Sequence, residues 1–191
     1  NHAWANGSTM TFQSTSPTTA GYGLTNLVFA ANGGSIVYTS PLVIQNPAGT
    51  GTVTLAGAIT DTATYPSSFT VRAGGRIVDT NTAKVAITTN GAPVVLNSNT
   101  SSDSSATAAG IELFGSIVTN EGAITLGGGM AGNASGYAQG SSSFRGIAFQ
   151  SGSSLNASGG DINIRGQSTS SNGVSFFGST IQTADAGSIL I

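Results

Sequence analysis

The sequence predicts an all-β protein: one parallel β-solenoid segment over residues 1–191, with about 20 residues per coil and loop insertions between strands. Three observations predict it. Helix formers in amphipathic spacing are missing. Short apolar triplets alternate with a period of two, as strands with one buried face do. Those triplets also return in one fixed order, which is the mark of a stacked repeat.

The absence of helix is read from composition. There is a single Lys, Lys84, and the only Glu residues are Glu112 and Glu121. No window places apolar residues at i, i+3, i+4 and i+7 without Gly or Ser intervening, so long helices are excluded.

Taken in order, residues 1–30 carry His2, Trp4, Met10, Phe12, Tyr22 and Phe29 with little period, and are expected to form a cap or irregular first coils. From residue 35 to 96 strands are legible at 36–38, 42–44, 53–55, 69–71, 76–78 and 85–87. All five Pro fall between residues 17 and 93, where turns and first strand positions accept them. Residues 97–109, NSNTSSDSSATAA, read as a polar loop insertion.

The clearest repeats run from 110 to 191. Gly110-Ile111-Glu112-Leu113, Gly146-Ile147-Ala148-Phe149 and Gly173-Val174-Ser175-Phe176 each open a copy. A lone apolar residue follows, Ile117, Leu155 or Ile181, and then a Gly two residues ahead of a second triplet, in GAITL, GDINI and GSILI. The segments GGMAGNASGYAQGSSSF and QSTSSN interrupt the copies, and removing them leaves about 20 residues per coil. The first of them supplies a loop insertion at 129–145.

Stacking also explains the composition. Identical positions of successive coils lie about 4.8 Å apart, so ladders of Ser, Thr and Asn suit the outer wall better than repeated like charges. Only 6% of residues are Asp, Glu, Lys or Arg, and the net charge is −2. A phosphate-binding or nucleic-acid surface is not expected from this composition. With zero Cys and one His, disulfides, thiol chemistry and Cys-rich zinc sites are excluded as well. No apolar run is long enough for a membrane helix. The start, NHAWANGSTM, has neither an initiator Met nor a basic-then-apolar leader, and is expected to belong to a mature or excised piece.

Candidate chemistry is sparse. Asp161 with Asp185 or Arg165 is the one acid grouping that one coil of separation brings near, as a carbohydrate-cleaving site requires, yet both acids adjoin turns and read as solvated. His2 has no ready Ser and Asp partners for a triad. Arg72 and Arg76 flank Ala73-Gly74-Gly75, where a small anion can dock, although surface solubility is the better account of them. Asn-x-Ser/Thr matches at Asn6, Asn99, Asn133 and Asn156 are expected by chance in a chain this rich in those residues. Thr alternates in TVTL and AITT, as an ice-binding face requires, but does not return in the C-terminal copies. Tyr137, Phe144 and Arg145, in the 129–145 insertion, are the candidate partner contacts. No catalytic, cofactor or metal residues are assigned.

The copies GIELFGSIVTNEGAITLGG, GIAFQSGSSLNASGGDINIRG and GVSFFGSTIQTADAGSILI resemble the haemagglutinin repeats of filamentous-haemagglutinin-like exoproteins, Gram-negative adhesins secreted by the two-partner route. The resemblance covers residues 110–191. It implies a right-handed parallel β-helix displayed extracellularly or on the outer cell surface, serving adhesion, aggregation or biofilm. It carries no catalytic residues, and its expected partners are a host or neighbouring-cell glycan or protein. Asn46-Pro47-Ala48-Gly49 is the only approach to the Asn-Pro motifs of that family's secretion domain, so this chain is not expected to be that domain. The terminal triplet Ile189-Leu190-Ile191 has no capping segment after it, which points to continuation of the chain or end-to-end self-association. The alternatives are a carbohydrate-active β-helix enzyme and an ice-binding or structural filament protein.

Overall fold

The computed structural model describes residues 10–13, 26–47, 49–99, 109–140 and 143–191. His2, Asn6 and most of the expected N-terminal cap lie outside these residues, as do residues 100–108 of the polar loop. Every described element is a strand, and the chain winds as a parallel β-solenoid of six coils. Each coil contributes one strand segment to each of three faces, with Met10–Gln13 preceding the first coil on the third, and each segment pairs in parallel with its equivalents in the adjoining coils.

The first face stacks 26–30, 52–56, Ile77–Asp79, Ile111–Leu113, Ile147–Phe149 and Val174–Phe176. The second stacks 35–38, 58–61, Ala86–Thr88, Ser116–Val118, Ser154–Asn156 and Thr180–Gln182. The third stacks Met10–Gln13, Leu42–Asn46, Phe69–Ala73, Val94–Ser98, Ile124–Gly128, Ile162–Ile164 and Ile189–Leu190. In the second coil the first two faces are one strand, Thr52–Asp61, bent at Gly57, which has φ +79.

This order is the order of the repeat: a Gly-led triplet on the first face, a lone apolar residue on the second, a second triplet on the third. The inward columns make one apolar shaft. Ile77, Ile111 and Ile147 line up on the first face, Ile59, Ile87, Ile117 and Leu155 on the second, and Phe69, Val94, Ile124 and Ile162 on the third, all essentially inaccessible to water. Burying each stabilises the fold by about 1.5–3 kcal/mol. In the sixth coil the inward-phase residues Phe176 and Ile189 are exposed.

The glycines ahead of the third-face triplets are required by close approach between coils. A Cβ on Gly122 would run into the Ala92 carbonyl, one on Gly160 into the Gly122 carbonyl, and one on Gly187 would lie 2.6 Å from the Gly160 carbonyl.

The coil is longer than the stripped repeat. Equivalent third-face residues are 27 apart between Leu42 and Phe69, 25 between Phe69 and Val94, 30 between Val94 and Ile124, 38 between Ile124 and Ile162, and 27 between Ile162 and Ile189. In the last two of these spacings the added length includes the two supposed interruptions. Ala138–Gly140 falls in one and Gly166–Ser168 overlaps the other, and the two pair in parallel as a separate two-stranded ladder. They are part of the wall.

Candidate functional site

The 129–145 insertion folds back on the third face. Asn97 donates its amide to the Gly129 carbonyl at 3.0 Å and accepts from the Ala134 N–H at 3.1 Å. Arg72 Nε donates to the Gly132 carbonyl at 3.0 Å, and Arg165 Nη1 to the Ser135 carbonyl at 2.6 Å. The small residues of GGGMAGNASG permit this, since a Cβ on Gly127 or Gly128 would strike the carbonyls of Ala134 and Tyr137. The result buries Ala134 and Asn97 completely.

Of the three candidate contact residues, Tyr137 and Phe144 are exposed and Arg145 is half-buried. The Arg145 guanidinium lies 4.8 Å from the centre of the Phe177 ring, a cation–π contact between the fifth and sixth coils. Between the same two coils the rings of Phe149 and Phe176 stack with centroids 5.1 Å apart.

The arginines expected around a small anion are engaged separately. Arg72 serves the folded-back loop, while Arg76 pairs with Glu112 at 2.9 Å. Glu112 also accepts from Gln150 Nε2 at 2.7 Å, so one charged row ties three coils together. Asp161 accepts from the Ser188 N–H and hydroxyl at 2.9 and 2.8 Å, which holds its exposed carboxyl below the usual range. Arg165 reaches the other way, to Ser135. Asp161, Asp185 and Arg165 therefore have separate surroundings. Thr60 and Thr88 are neighbours on the second face, but Val118 and Asn156 continue that row, so it presents no rank of Thr. Of the three described Asn-x-Ser/Thr matches, Asn99 is buried and Asn133 exposed.

Two acids that the sequence reading passed over are buried. Asp79 accepts from the N–H groups of Phe114 and Gly115, both at 2.6 Å, and of Val85 at 3.3 Å. Loss of solvation pushes its carboxyl up to about 6, the three N–H groups pull it down, and nearby Glu112 adds to the rise. Asp61 accepts from the Ala63 and Ser67 N–H groups at 2.9 and 3.0 Å. Both acids sit in inward phase, two residues after Ile77 and Ile59, and that phase was the available signal. The Tyr38 hydroxyl, beside Asp61 in register, is buried and raised well above its ordinary range, first by burial and then by the Asp61 charge.

Asp61 anchors the corner between the second and third faces in the second coil, residues 62–68. Two grooves flank this corner. One, of about 560 Å³, runs between Thr39-Ser40-Pro41 and residues 62–67. The other, of about 640 Å³, is bounded by Pro66, Asn90, Gly91, Asn120, Glu121 and Ser158. Farther along the same corner, Glu121 Cγ and Asp185 Oδ2 lie 3.7 and 3.8 Å from where a Gly159 Cβ would stand. Among the described residues no group of three or more His, Asp or Glu is placed to hold a metal ion, and no helix is long and apolar enough to cross a membrane.

Compared with family models, curated proteins and solved structures, the chain matches none.

Proposed function

We propose that this chain is a non-catalytic segment of a bacterial cell-surface or secreted adhesin, a rigid β-solenoid stalk like the filamentous-haemagglutinin-like exoproteins that its repeats resemble. It is displayed outside the cell and holds a host or neighbouring-cell glycan or protein. The observation that carries this reading is the union of an apolar shaft through the coils with an outer wall of mostly uncharged rows, such as Val43, Thr70, Val95, Thr125 and Asn163, in which Thr and Asn alternate with Val. Such a rod keeps its length and direction under load, and offers corners and folded-back loops as contact surfaces. The test is adherence of beads coated with the purified chain to epithelial and bacterial cells under flow. Retention above uncoated beads supports the role; equal wash-off overturns it.

A carbohydrate-active enzyme is the second reading, and the approach of Glu121 and Asp185 over Gly159 favours it, since glycoside cleavage uses paired carboxylates. Release of reducing ends from a polysaccharide panel, abolished by Glu121→Gln, would replace the adhesin reading with this one.

A further inference from the structure

We infer that the corner of the second coil is a carbohydrate-binding saddle, with Tyr65 as the stacking platform for one ring of a neutral, linear oligosaccharide and the two grooves taking the rings on either side. This rests on the adhesive reading above and names its ligand and its site.

The corner stands out by its length. Between the second and third faces the coils spend residues 39–41, 62–68, 89–93, 119–123, 157–161 and 183–188. The second coil has the longest of these corners and follows the shortest, so it projects as a ledge with a step on each side. At its outer edge Tyr65 is 77% exposed, more than any other large apolar side chain among the described residues. It does not pack into the shaft.

The ledge is nonetheless held firmly. Asp61, 5% exposed, accepts from the N–H groups of Ala63 and Ser67 on both sides of the tyrosine. Asn90 in the next coil donates to the Ala63 carbonyl at 3.5 Å, and Pro66 fixes the backbone after the ring. An aromatic face presented to water on a fixed backbone is what a binding platform needs, because little backbone freedom remains to be lost on contact.

The lining chemistry selects the ligand. The grooves offer hydroxyls of Ser and Thr, amides of Asn90 and Asn120, and the faces of Pro41 and Pro66. Among the described residues neither Lys nor Arg lines them, and Glu121 is their one charged side chain. Sulfated, uronic or phosphorylated chains find no cation there. A neutral pyranose has an apolar C–H face, which suits the electron-rich face of tyrosine, and a rim of hydroxyls, which suits amides and hydroxyls. The grooves follow the corner across successive coils about 4.8 Å apart, and an extended sugar chain advances by a comparable length per ring.

The experiment titrates the purified chain with cellohexaose, chitohexaose and mannohexaose, with oligogalacturonate and a proline-rich decapeptide as comparators. Binding of at least one neutral hexasaccharide is expected, weakened at least about tenfold by Tyr65→Ala and kept within about threefold by Tyr65→Phe, with unchanged melting temperatures. Absence of neutral-sugar binding, undiminished binding by Tyr65→Ala, or tighter binding of either comparator overturns the saddle. Cell adherence measured in parallel separates the two claims. A Tyr65→Ala chain that adheres like the parent removes this site and leaves the adhesive role, whereas a parent chain that does not adhere removes the role itself.

Discussion

Ile124→Asp tests the shaft directly. Ile124 is fully buried, stacked between Val94 and Ile162. Its loss forfeits about 1.5–3 kcal/mol of apolar burial. The new carboxyl lies among Ile and Val and folds in its protonated form, which at neutral pH costs about 1.4 kcal/mol for each of roughly three pH units above its ordinary value, or about 4 kcal/mol. The total of about 5.5–7 kcal/mol is comparable with the whole stability of a domain. Thr125→Asp, one residue further and facing outward, should cost about 1 kcal/mol or less. Urea unfolding followed by far-ultraviolet circular dichroism distinguishes them, and acidification adds a second signature. The folded pKa of the introduced acid is raised, so its penalty shrinks as pH falls from 7 towards 4, and the Ile124→Asp chain should regain strand signal there. Equal urea midpoints for the two variants at pH 7 would refute the inward assignment and the stacked shaft with it.

Other outcomes follow from the corners and the buried acid. Thr119 is buried and its hydroxyl donates to the Gly122 carbonyl within its own corner; Thr119→Val keeps the shape, loses that bond, and should lower stability by about 1–3 kcal/mol in urea titrations. A Cβ on Gly115 would collide with the Val85 carbonyl and approach Asp79 Oδ2 at 2.8 Å, so Gly115→Ala should cost about 1–3 kcal/mol or more by forced backbone shifts, visible as a lower melting temperature. Asp79, raised from 3.8 to about 6, takes up a proton on folding between those values. Its contribution to stability is therefore complete below about pH 4 and lost as pH rises through about 6. Asp79→Asn should abolish that part of the pH dependence of the urea midpoint, and an unchanged pH profile would show that another group produces it.

The C-terminal half was legible because each face of a coil asks for a different spacing of apolar residues. Gly110-Ile111-x-Leu113, then Ile117, then Ile124-x-Leu126 record the three faces in turn. The N-terminal half was not, for two physical reasons. Thr52–Asp61 serves two faces in one strand, so no turn residues mark the corner except Gly57. Asp61 and Asp79 then occupy inward positions where alternation calls for an apolar side chain, and only the corner N–H groups that they accept from explain their presence. The candidate loop was harder still. Gly-rich 127–136 reads as an excursion in sequence, but with five Gly among its ten residues it folds against the third face, where Asn97 and Arg72 hold it. Tyr65 carried no repeat and no neighbouring cation, and its significance depends on the unequal corner lengths of successive coils.

The glycines at 122, 160 and 187 nest each winding against the carbonyl of the one beneath. That nesting works like the teeth of a ratchet. A partial insertion inside a strand would put side chains where only hydrogen fits, so the stack can grow or shrink by whole windings, while extra residues are absorbed only at corners such as 62–68. Lineages of such a rod should therefore differ in whole turns of length and in ornament at the corners, with the strands between them unaltered in size.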